Sequence, residues 1–235
     1  MVHPFSWLKS TLGRRDPAAG VPPSEGLSPS SVMVPIRSMG PAHRERIAAH
    51  LVALDPHDRY LRFGYAANDE QIQRYVAQLN FERDELFGIF NRKLELIAMA
   101  HLAFSIDPAC TSCAEFGVSV AKSARGRRYG SRLFDRAVMH ARNEGVQMLF
   151  IHALSENTAM LRIARNAGAL IERDGSESEA HLRLPPADFD SRMTEMVNEQ
   201  VAITDYHLKS QVRQFWRVLD QLQAIRQGAR ERLLG

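Results

Sequence analysis

The amino-acid sequence predicts an α/β fold in which a mixed central sheet is flanked by helices. The prediction depends mainly on residues 114–169, where strand, turn and helix patterns follow one another. Strands that alternate with helices in this way are typical of α/β proteins. In order, the stretch contains an apolar strand (116–121), a turn of glycines and arginines (125–130), an amphipathic helix (131–143), a buried strand (148–154) and a helix that begins near Asn157.

The segments on either side complete the predicted fold. Pro41 suits the first turn of a helix, and Asp55-Pro56 is expected to end that helix before a loop at 57–67. Asn68 and Gln71 form a capping-box pattern for a second helix. The remaining predicted elements are a first strand at 32–36, a hairpin of strands 85–91 and 94–105, and a final hairpin of strands 170–173 and 180–184.

Three regions are expected along the chain. Residues 1–31 include a run rich in Pro, Gly and Ser, which predicts a flexible N-terminal arm. Residues 32–186 form the α/β domain, and residues 187–235 form a C-terminal helical extension. Apolar residues at 205–233 recur with the spacing of a coiled coil, which suits a homodimer. Packing of this helix on its own domain is the alternative, and the sequence does not decide between them.

Composition excludes several classes of protein. The chain has 235 residues, a formal net charge of +3 and no apolar run of membrane-spanning length. It has no recognisable nucleic-acid-binding motif and no secretory signal, so we expect a cytoplasmic protein that binds neither nucleic acid nor membrane. The only cysteines, Cys110 and Cys113, are expected to be reduced thiols in a loop, because one C-x-x-C pair is insufficient for a structural metal site. No metal is therefore expected.

The turn at 125–130 has the features of a phosphate-binding site. A strand leads into it and a helix leaves it, so that free N–H groups at the helix N-terminus point towards a bound anion. Gly126 and Gly130 allow close approach of the backbone. Arg125, Arg127 and Arg128 add positive charge, which favours a diphosphate over a single carboxylate.

These residues resemble the acyl-CoA-binding turn of the GCN5-related N-acetyltransferase (GNAT) superfamily. Arg125 and Gly130 fill the outer positions of its pattern, and Arg128 stands where the inner glycine is usual. That substitution fits the pattern if Arg128 has a negative φ or if its N–H lies farther from the phosphates. Residues 157–169 resemble the second motif of the family. The resemblance implies acetyl-CoA as co-substrate, bound by Val118, Ser119, Val120, Arg125, Gly126, Arg127, Arg128, Tyr129, Gly130, Ser131 and Asn157.

The resemblance also implies two catalytic residues. Glu115 lies in an Ala-Glu-Phe-Gly-Val order similar to that of bacterial protein-lysine acetyltransferases, whose matching glutamate is the general base. A solvated strand residue is the alternative interpretation. Many relatives protonate the leaving thiolate with a tyrosine, and Ala164 occupies that position here. Ser155, Asn157 or water is expected to replace that acid.

The expected function is transfer of an acetyl group from acetyl-CoA to an amine, either a small molecule or a protein lysine, by direct attack. The alternative is a non-catalytic CoA-binding sensory domain that dimerises through its C-terminal helices. An acidic cleft formed by Glu82, Asp84, Glu85 and Glu115 would suit a cationic acceptor, if these side chains converge.

Overall fold

A computed structural model describes residues 34–187 and 192–205 of the chain. Within them, seven strands form one mixed sheet in the order β1-β2-β3-β4-β5-β7-β6. The predicted N-terminal arm lies outside the described residues, as does nearly all of the predicted coiled-coil segment. The strands are β1 (Arg37–Ser38), β2 (Glu85–Phe90), β3 (Leu96–Phe104), β4 (Cys113–Val120), β5 (Met148–Leu154), β6 (Leu170–Asp174) and β7 (Glu177–Arg183). The α-helices are α1 (Arg44–Val52), α2 (Pro56–Phe63), α3 (Asp69–Ala77), α4 (Tyr129–Asn143) and α5 (Thr158–Asn166).

The sheet opens between its two parallel strands. β4 and β5 pair only through Cys113–Met148, Ala114–Leu149 and Glu115–Phe150. Both strands continue beyond these pairs, β4 to Val120 and β5 to Leu154, while β4 remains paired with β3 over its whole length. A slot between β4 and β5 therefore begins immediately after Glu115.

Each face of the sheet has its own apolar core. On one face, α1 and α3 contribute Ile47, Leu51, Ile72 and Val76 to a buried cluster. On the other face, α4 and α5 bury a larger cluster. The alternation of side chains along β4 assigns Glu115 and Gly117 to the first face, and Phe116 and Val118 to the second. The members of the α4/α5 cluster on these helices and on β4 include Phe116, Leu133, Phe134, Ala137, Met160, Leu161 and Ala164.

The structure corrects the predicted loop at 57–67. Residues Pro56–Phe63 form α2, in which the side chain of Asp55 accepts a hydrogen bond from the Asp58 N–H. Asp55-Pro56 therefore begins a helix instead of only ending one, since aspartate is a good N-cap and proline suits the first helical position. Gly64, with φ of 77°, ends the helix.

Other boundaries differ by a few residues. The first strand is Arg37–Ser38, and residues 34–36 are not part of it. The final strand begins at Glu177, because Gly175 with φ of 58° allows a shorter turn than predicted. The capping box of Asn68 and Gln71 is confirmed by reciprocal hydrogen bonds of 2.9 Å.

The expectation of reduced cysteines was wrong for this structure. A short 3-10 helix, Pro108–Cys110, turns the chain so that the Cα atoms of Cys110 and Cys113 lie 5.4 Å apart, and their sulfurs are bonded. This separation is within the range that disulfides span. The bond closes the loop that leads into β4.

Part of the C-terminal extension contacts the domain itself. Residues 192–205 are helical and lie against α4. Arg136, whose side chain is only 5% exposed, contacts Glu195 at 2.6 Å and Glu199 at 3.1 Å, and His140 contacts Glu195 at 2.6 Å. Residues 192–205 therefore pack on their own domain, against α4. The dimerisation hypothesis concerns residues 205–233, of which only residue 205 is described.

Candidate active site

The free edge of β4 forms one wall of the slot. From Phe116 onwards β4 has no pairing with β5, so peptide groups on that edge are available to a ligand. Val118 and Val120 pack their side chains against the α4/α5 cluster, which leaves their peptide groups for such contacts. An extended pantetheine arm can bind there by the hydrogen-bonding mode of an added strand.

Ser119 points its side chain away from the slot. His50 Nδ1 donates to the carbonyl of Leu96 at 3.0 Å, which leaves Nε2 to accept from the Ser119 hydroxyl at 2.9 Å. Burial lowers the pKa of His50 to about 4, so its ring is neutral at neutral pH. Any contact of Ser119 with pantetheine therefore involves its backbone.

The N-terminus of α4 provides unused hydrogen-bond donors. The first bond of the helix runs from the Arg132 N–H to the Arg128 carbonyl, and no side chain caps this end within the described part of the chain. The N–H groups of Tyr129, Gly130 and Ser131 therefore lack helical partners. A Cβ on Gly130 would lie 3.3 Å from Ile163 Cδ1, so the end of the Ile163 side chain would have to shift to admit it. This end of α4 suits an anionic group.

One arginine of the turn forms an ion pair with α2, and the other two are exposed to solvent. Arg125 pairs with Asp58, and Lys122 Nζ lies 3.9 Å from Asp55 Oδ2, so the turn is joined to α2. Arg127 and Arg128 are exposed beside the helix N-terminus. These two side chains are free to approach the phosphates of a nucleotide without breaking an ion pair with α2.

Arg128 has the left-handed backbone conformation, with φ of 60° and ψ of 22°. Of the two conditions under which Arg128 fits the family pattern, the negative φ is therefore not met. The backbone keeps the conformation that a glycine adopts readily, although an arginine is present. A residue with a Cβ adopts this conformation at a cost of roughly 1–2 kcal/mol.

We expect Arg128→Gly to increase the thermal stability of the protein. The relief of strain outweighs the entropy that glycine adds to the unfolded chain, and a net gain of about 0.5–1 kcal/mol corresponds to a rise in Tm of roughly 1–4 °C. Differential scanning calorimetry measures this. Arg127→Gly, at an exposed neighbour that lacks a positive φ, is the matched control and should give no increase. Equal Tm changes for both variants would contradict the explanation.

Glu115 lies where β4 and β5 separate. Its side chain is partly buried on the α1/α3 face of the sheet and makes no hydrogen bond or ion pair with other residues in the described segments. Burial raises the pKa of Glu115 to about 7, the positive charge of Arg62 opposes this shift, and Glu179 adds to it. A carboxylate of this kind can exchange a proton near neutral pH.

Arg62 is a site residue that sequence reasoning missed. A Cβ added to Gly117 would lie 2.8 Å from Arg62 Nη2 and 2.9 Å from its Cζ. The guanidinium therefore lies against the β4 backbone at Gly117, two residues after Glu115 and on the same face of the strand. Its Nη2 donates to the Tyr75 hydroxyl at 3.1 Å. The sequence analysis did not assign Arg62 to the site, because α2 was predicted to be a loop.

The two residues expected to replace the missing tyrosine make contacts within the protein. The Ser155 hydroxyl lies within 3.1 Å of the Gly175 and Glu177 carbonyls and 2.9 Å from the Ser178 hydroxyl. Asn157 caps α5 by accepting from the Met160 N–H at 3.1 Å, as its residue type predicts. Ala164 is fully buried in the core.

The acidic cleft expected from sequence does not form. Asp84 is buried and paired with Arg83 at 2.6 Å, and its other oxygen lies 3.3 Å from His101 Nε2. Glu85 pairs in register with Leu102 and lies on the α4 face, opposite to the face of Glu115. The sequence could not show this, because the assignment of faces depends on strand register.

Glu179 is a carboxylate that does lie on the Glu115 side of the sheet. It is partly buried, and its Oε1 lies 3.7 Å from His152 Nε2 and 3.8 Å from His181 Nε2. Phe150 pairs in register with Glu115, and its ring lies 5.1 Å from that of His181. Burial and the neighbouring His181 lower the pKa of His152 to about 3. These side chains border the slot next to Glu115.

The described segments contain neither a membrane-spanning helix nor a cluster of metal ligands. None of their helices has the length and hydropathy of a membrane span. They also contain no group of three or more His, Cys, Asp or Glu side chains arranged to hold a metal ion.

A comparison with protein families identifies the family of this chain. The model of the acetyltransferase (GNAT) family matches residues 51–169, just over half of the chain. A comparison with curated proteins gave no match.

Three solved structures show the same fold at low sequence identity. The GNAT domain of S. lividans PAT has a TM-score of 0.54 at 19% identity, covering 63% of this chain and 89% of that one. Ribosomal-protein-alanine N-acetyltransferase from Brucella melitensis has a TM-score of 0.52 at 17% identity, covering 63% of this chain and 99% of that one. A putative acetyltransferase from Acinetobacter baylyi ADP1 has a TM-score of 0.54 at 15% identity, covering 67% of this chain and 97% of that one. These structures show the shared fold, and the family model, which matches more than half of the chain, shows that the chain belongs to the GNAT acetyltransferase family.

Proposed function

We propose that this protein transfers an acetyl group from acetyl-CoA to a primary amine by direct attack, with Glu115 as the general base. The observation that supports this most strongly is the slot between β4 and β5. It has the raised-pKa carboxyl of Glu115 at its inner end, and β4 leads from there to the turn and the free N–H groups of α4. Acetyl-CoA has a diphosphate at one end of its pantetheine arm and a thioester at the other, which matches this order of groups.

The binding residues have separate roles in this proposal. Peptide groups of Val118, Ser119 and Val120 hold pantetheine along the free edge of β4. The N–H groups of Tyr129, Gly130 and Ser131 bind the diphosphate, and Gly126 allows the turn to form with its φ of 77°. Arg125, Arg127 and Arg128 supply positive charge, although Arg125 must share its guanidinium with Asp58. Asn157 fixes the start of α5 beside the slot.

The reaction begins with removal of a proton from the acceptor. An alkylammonium has a pKa near 10.4, so at neutral pH the amine must lose a proton before it can attack, and the Glu115 carboxylate accepts that proton. The amine nitrogen then forms a bond to the thioester carbon, and the carbonyl electron pair moves to oxygen. When the C=O bond reforms, the C–S bond breaks and CoA leaves as a thiolate.

The thiolate takes up the second proton that the nitrogen loses. We assign Ser155 or a water molecule to this step, because Ala164 provides no acid. To protonate the thiolate, Ser155 must release its contacts with the β6–β7 turn. If Ser155 is the acid, Ser155→Ala lowers kcat without changing the affinity for acetyl-CoA; if water is the acid, the variant keeps the wild-type kcat.

Thiol release tests the proposed function. The wild-type protein is incubated with acetyl-CoA and a panel of lysine peptides, polyamines, amino acids and aminoglycosides, and mass spectrometry locates the transferred acetyl group. Release of CoA that depends on one class of amine supports the proposal and identifies the acceptor. Binding of acetyl-CoA without acetylation of any amine would contradict it and favour a non-catalytic CoA-binding sensory domain.

A further inference from the structure

We infer that Arg62 is a catalytic residue that stabilises the oxyanion formed when the amine attacks the acetyl thioester. The inference rests on the proposed function, since it concerns the same reaction. As the C–N bond forms, the carbonyl electron pair moves to oxygen, and a cation beside that oxygen lowers the energy of the transition state. Arg62 reaches β4 from α2.

The position of Arg62 on β4 is the first argument. Its guanidinium occupies the space that a side chain at residue 117 would take, with three of its atoms 2.8–3.0 Å from the position of a Cβ on Gly117. Gly117 is two residues after Glu115, where β4 has lost its pairing with β5. A thioester held in the slot within reach of the Glu115 base is therefore next to this guanidinium.

The second argument is that most of the donors of Arg62 are unused. A guanidinium has five N–H donors. Within the described part of the chain, the hydrogen bond to Tyr75 is the one that it forms, it pairs with no carboxylate, and its Nε is buried without a partner. Its charge also lies near the rings of Phe63 and Tyr75, at 5.4 and 5.7 Å. The buried Nε is costly without a partner, and the other unused donors are available to water or to a ligand.

A directed chain of hydrogen bonds holds Arg62 in place. His101 Nε2 donates to the Asp84 carboxylate at 3.3 Å, so its Nδ1 accepts from the Tyr75 hydroxyl at 2.8 Å. The Tyr75 oxygen in turn accepts from Arg62 Nη2 at 3.1 Å. Burial lowers the pKa of His101, which keeps the ring neutral and this direction intact. The guanidinium is thus oriented before substrate binds, which is the condition for effective electrostatic stabilisation.

Among the described residues that face this point of the slot, Arg62 is the one with a full positive charge at neutral pH. His50 and His101 face it from α1 and β3, and both have lowered pKa values because of burial. The carboxyl groups of Glu115 on β4 and Glu179 on β7 face the same region. Arg62 lowers the pKa of Glu115, so its loss should also raise the pH at which the base becomes ionised.

The test compares Arg62→Gln, Arg62→Lys and Gly117→Ala in steady-state thiol-release assays. Arg62→Gln should lower kcat by about 10²–10³-fold, the usual effect of losing one oxyanion donor, with little change in KM for acetyl-CoA. The pH at which kcat/KM rises, as Glu115 becomes ionised, should be higher in this variant than in the wild-type protein. Arg62→Lys keeps the charge but loses the planar fork and should recover part of kcat.

Gly117→Ala provides a second variant that retains the arginine. The new methyl group would displace the guanidinium, so this variant should also lower kcat. The double variant Arg62→Gln/Gly117→Ala should be no slower than Arg62→Gln alone, because both changes remove the same interaction. Arg74→Gln, at an exposed arginine of α3, is the matched control and should keep the wild-type kcat.

The outcomes separate this inference from the proposed function. A wild-type kcat in Arg62→Gln, or a raised KM for acetyl-CoA with kcat unchanged, would overturn the catalytic role of Arg62 while leaving acetyl transfer in place. Absence of thiol release by the wild-type protein with every acceptor would overturn both. Thermal unfolding and calorimetric binding of acetyl-CoA, measured on each variant, show whether a lost kcat reflects a misfolded protein.

Discussion

Glu115→Gln should lower kcat by about 10²–10⁴-fold while the protein still binds acetyl-CoA, because glutamine has nearly the same shape but cannot accept the proton of the acceptor amine. Glu115 lies at the start of the slot, and burial raises its pKa to about 7. Steady-state thiol release gives kcat, and calorimetry gives the affinity for acetyl-CoA. A kcat equal to that of the wild-type protein would remove Glu115 from the mechanism.

The pH dependence of the wild-type enzyme provides an independent readout of the same residue. Only the ionised carboxylate accepts a proton, so kcat/KM should rise with pH through about 7. This rise of kcat/KM with pH should be absent in Glu115→Gln. Glu179→Gln is the matched control: Glu179 raises the pKa of Glu115, so its neutralisation should move the rise to lower pH without abolishing activity.

Arg136→Met should destabilise the protein by about 1–3 kcal/mol, because charge-assisted hydrogen bonds are lost while the remaining carboxylates, 17% and 27% exposed, can be hydrated. The variant leaves Glu195 and Glu199 without their guanidinium, and it should release residues 192–205 from α4. Urea denaturation gives the loss of free energy of unfolding. Arg165→Met, at an exposed arginine of α5, is the control and should change stability by no more than about 0.5 kcal/mol. Equal stability of Arg136→Met and the wild-type protein would show that this contact does not hold the helix.

The same cluster should make stability depend on pH in two windows, one in acid and one above pH 6.5. Although burial opposes it, hydrogen bonds from His140, Asn143 and Arg136 lower the pKa of Glu195 to about 2. Its contribution is therefore present above the ordinary value of 4.5 and lost as the pH falls towards 2. Against the effect of burial, Glu195 raises the pKa of His140, whose contribution is present below 6.5 and lost as the pH rises through the raised value.

His140→Gln checks the alkaline side of this dependence. The difference in free energy of unfolding between the wild-type protein and this variant should be largest below pH 6.5 and should shrink at higher pH. A difference that stays constant with pH would contradict the assignment of the ion pair to His140.

Local patterns predicted the elements that are local in origin. The turn, α4, β5 and the capped starts of α3 and α5 follow from short-range periodicity and from residues that cap or break helices. β5 was predicted with its observed bounds, 148–154. The alternation of β4 also assigned Glu115 and Gly117 to one face, as the register shows.

The remaining features depend on contacts between distant segments. Asp55-Pro56 fits the end of one helix as well as the start of the next, and only the folded chain shows that α2 forms. Arg125 pairs with Asp58, and Arg62 lies over Gly117, across separations that no local pattern encodes. The location of Arg62, and with it the inferred oxyanion site, therefore required the structure.

Calorimetric titration with acetyl-CoA, followed by titration with acetyl-pantetheine, tests the central claim most directly. The second ligand has the thioester and the pantetheine arm but lacks the diphosphate and the nucleotide. The account predicts saturable binding of one acetyl-CoA per chain and much weaker binding of acetyl-pantetheine, because the free N–H groups of α4 and the arginines of the turn bind the phosphates. Equal affinities, or no binding of acetyl-CoA, would contradict it.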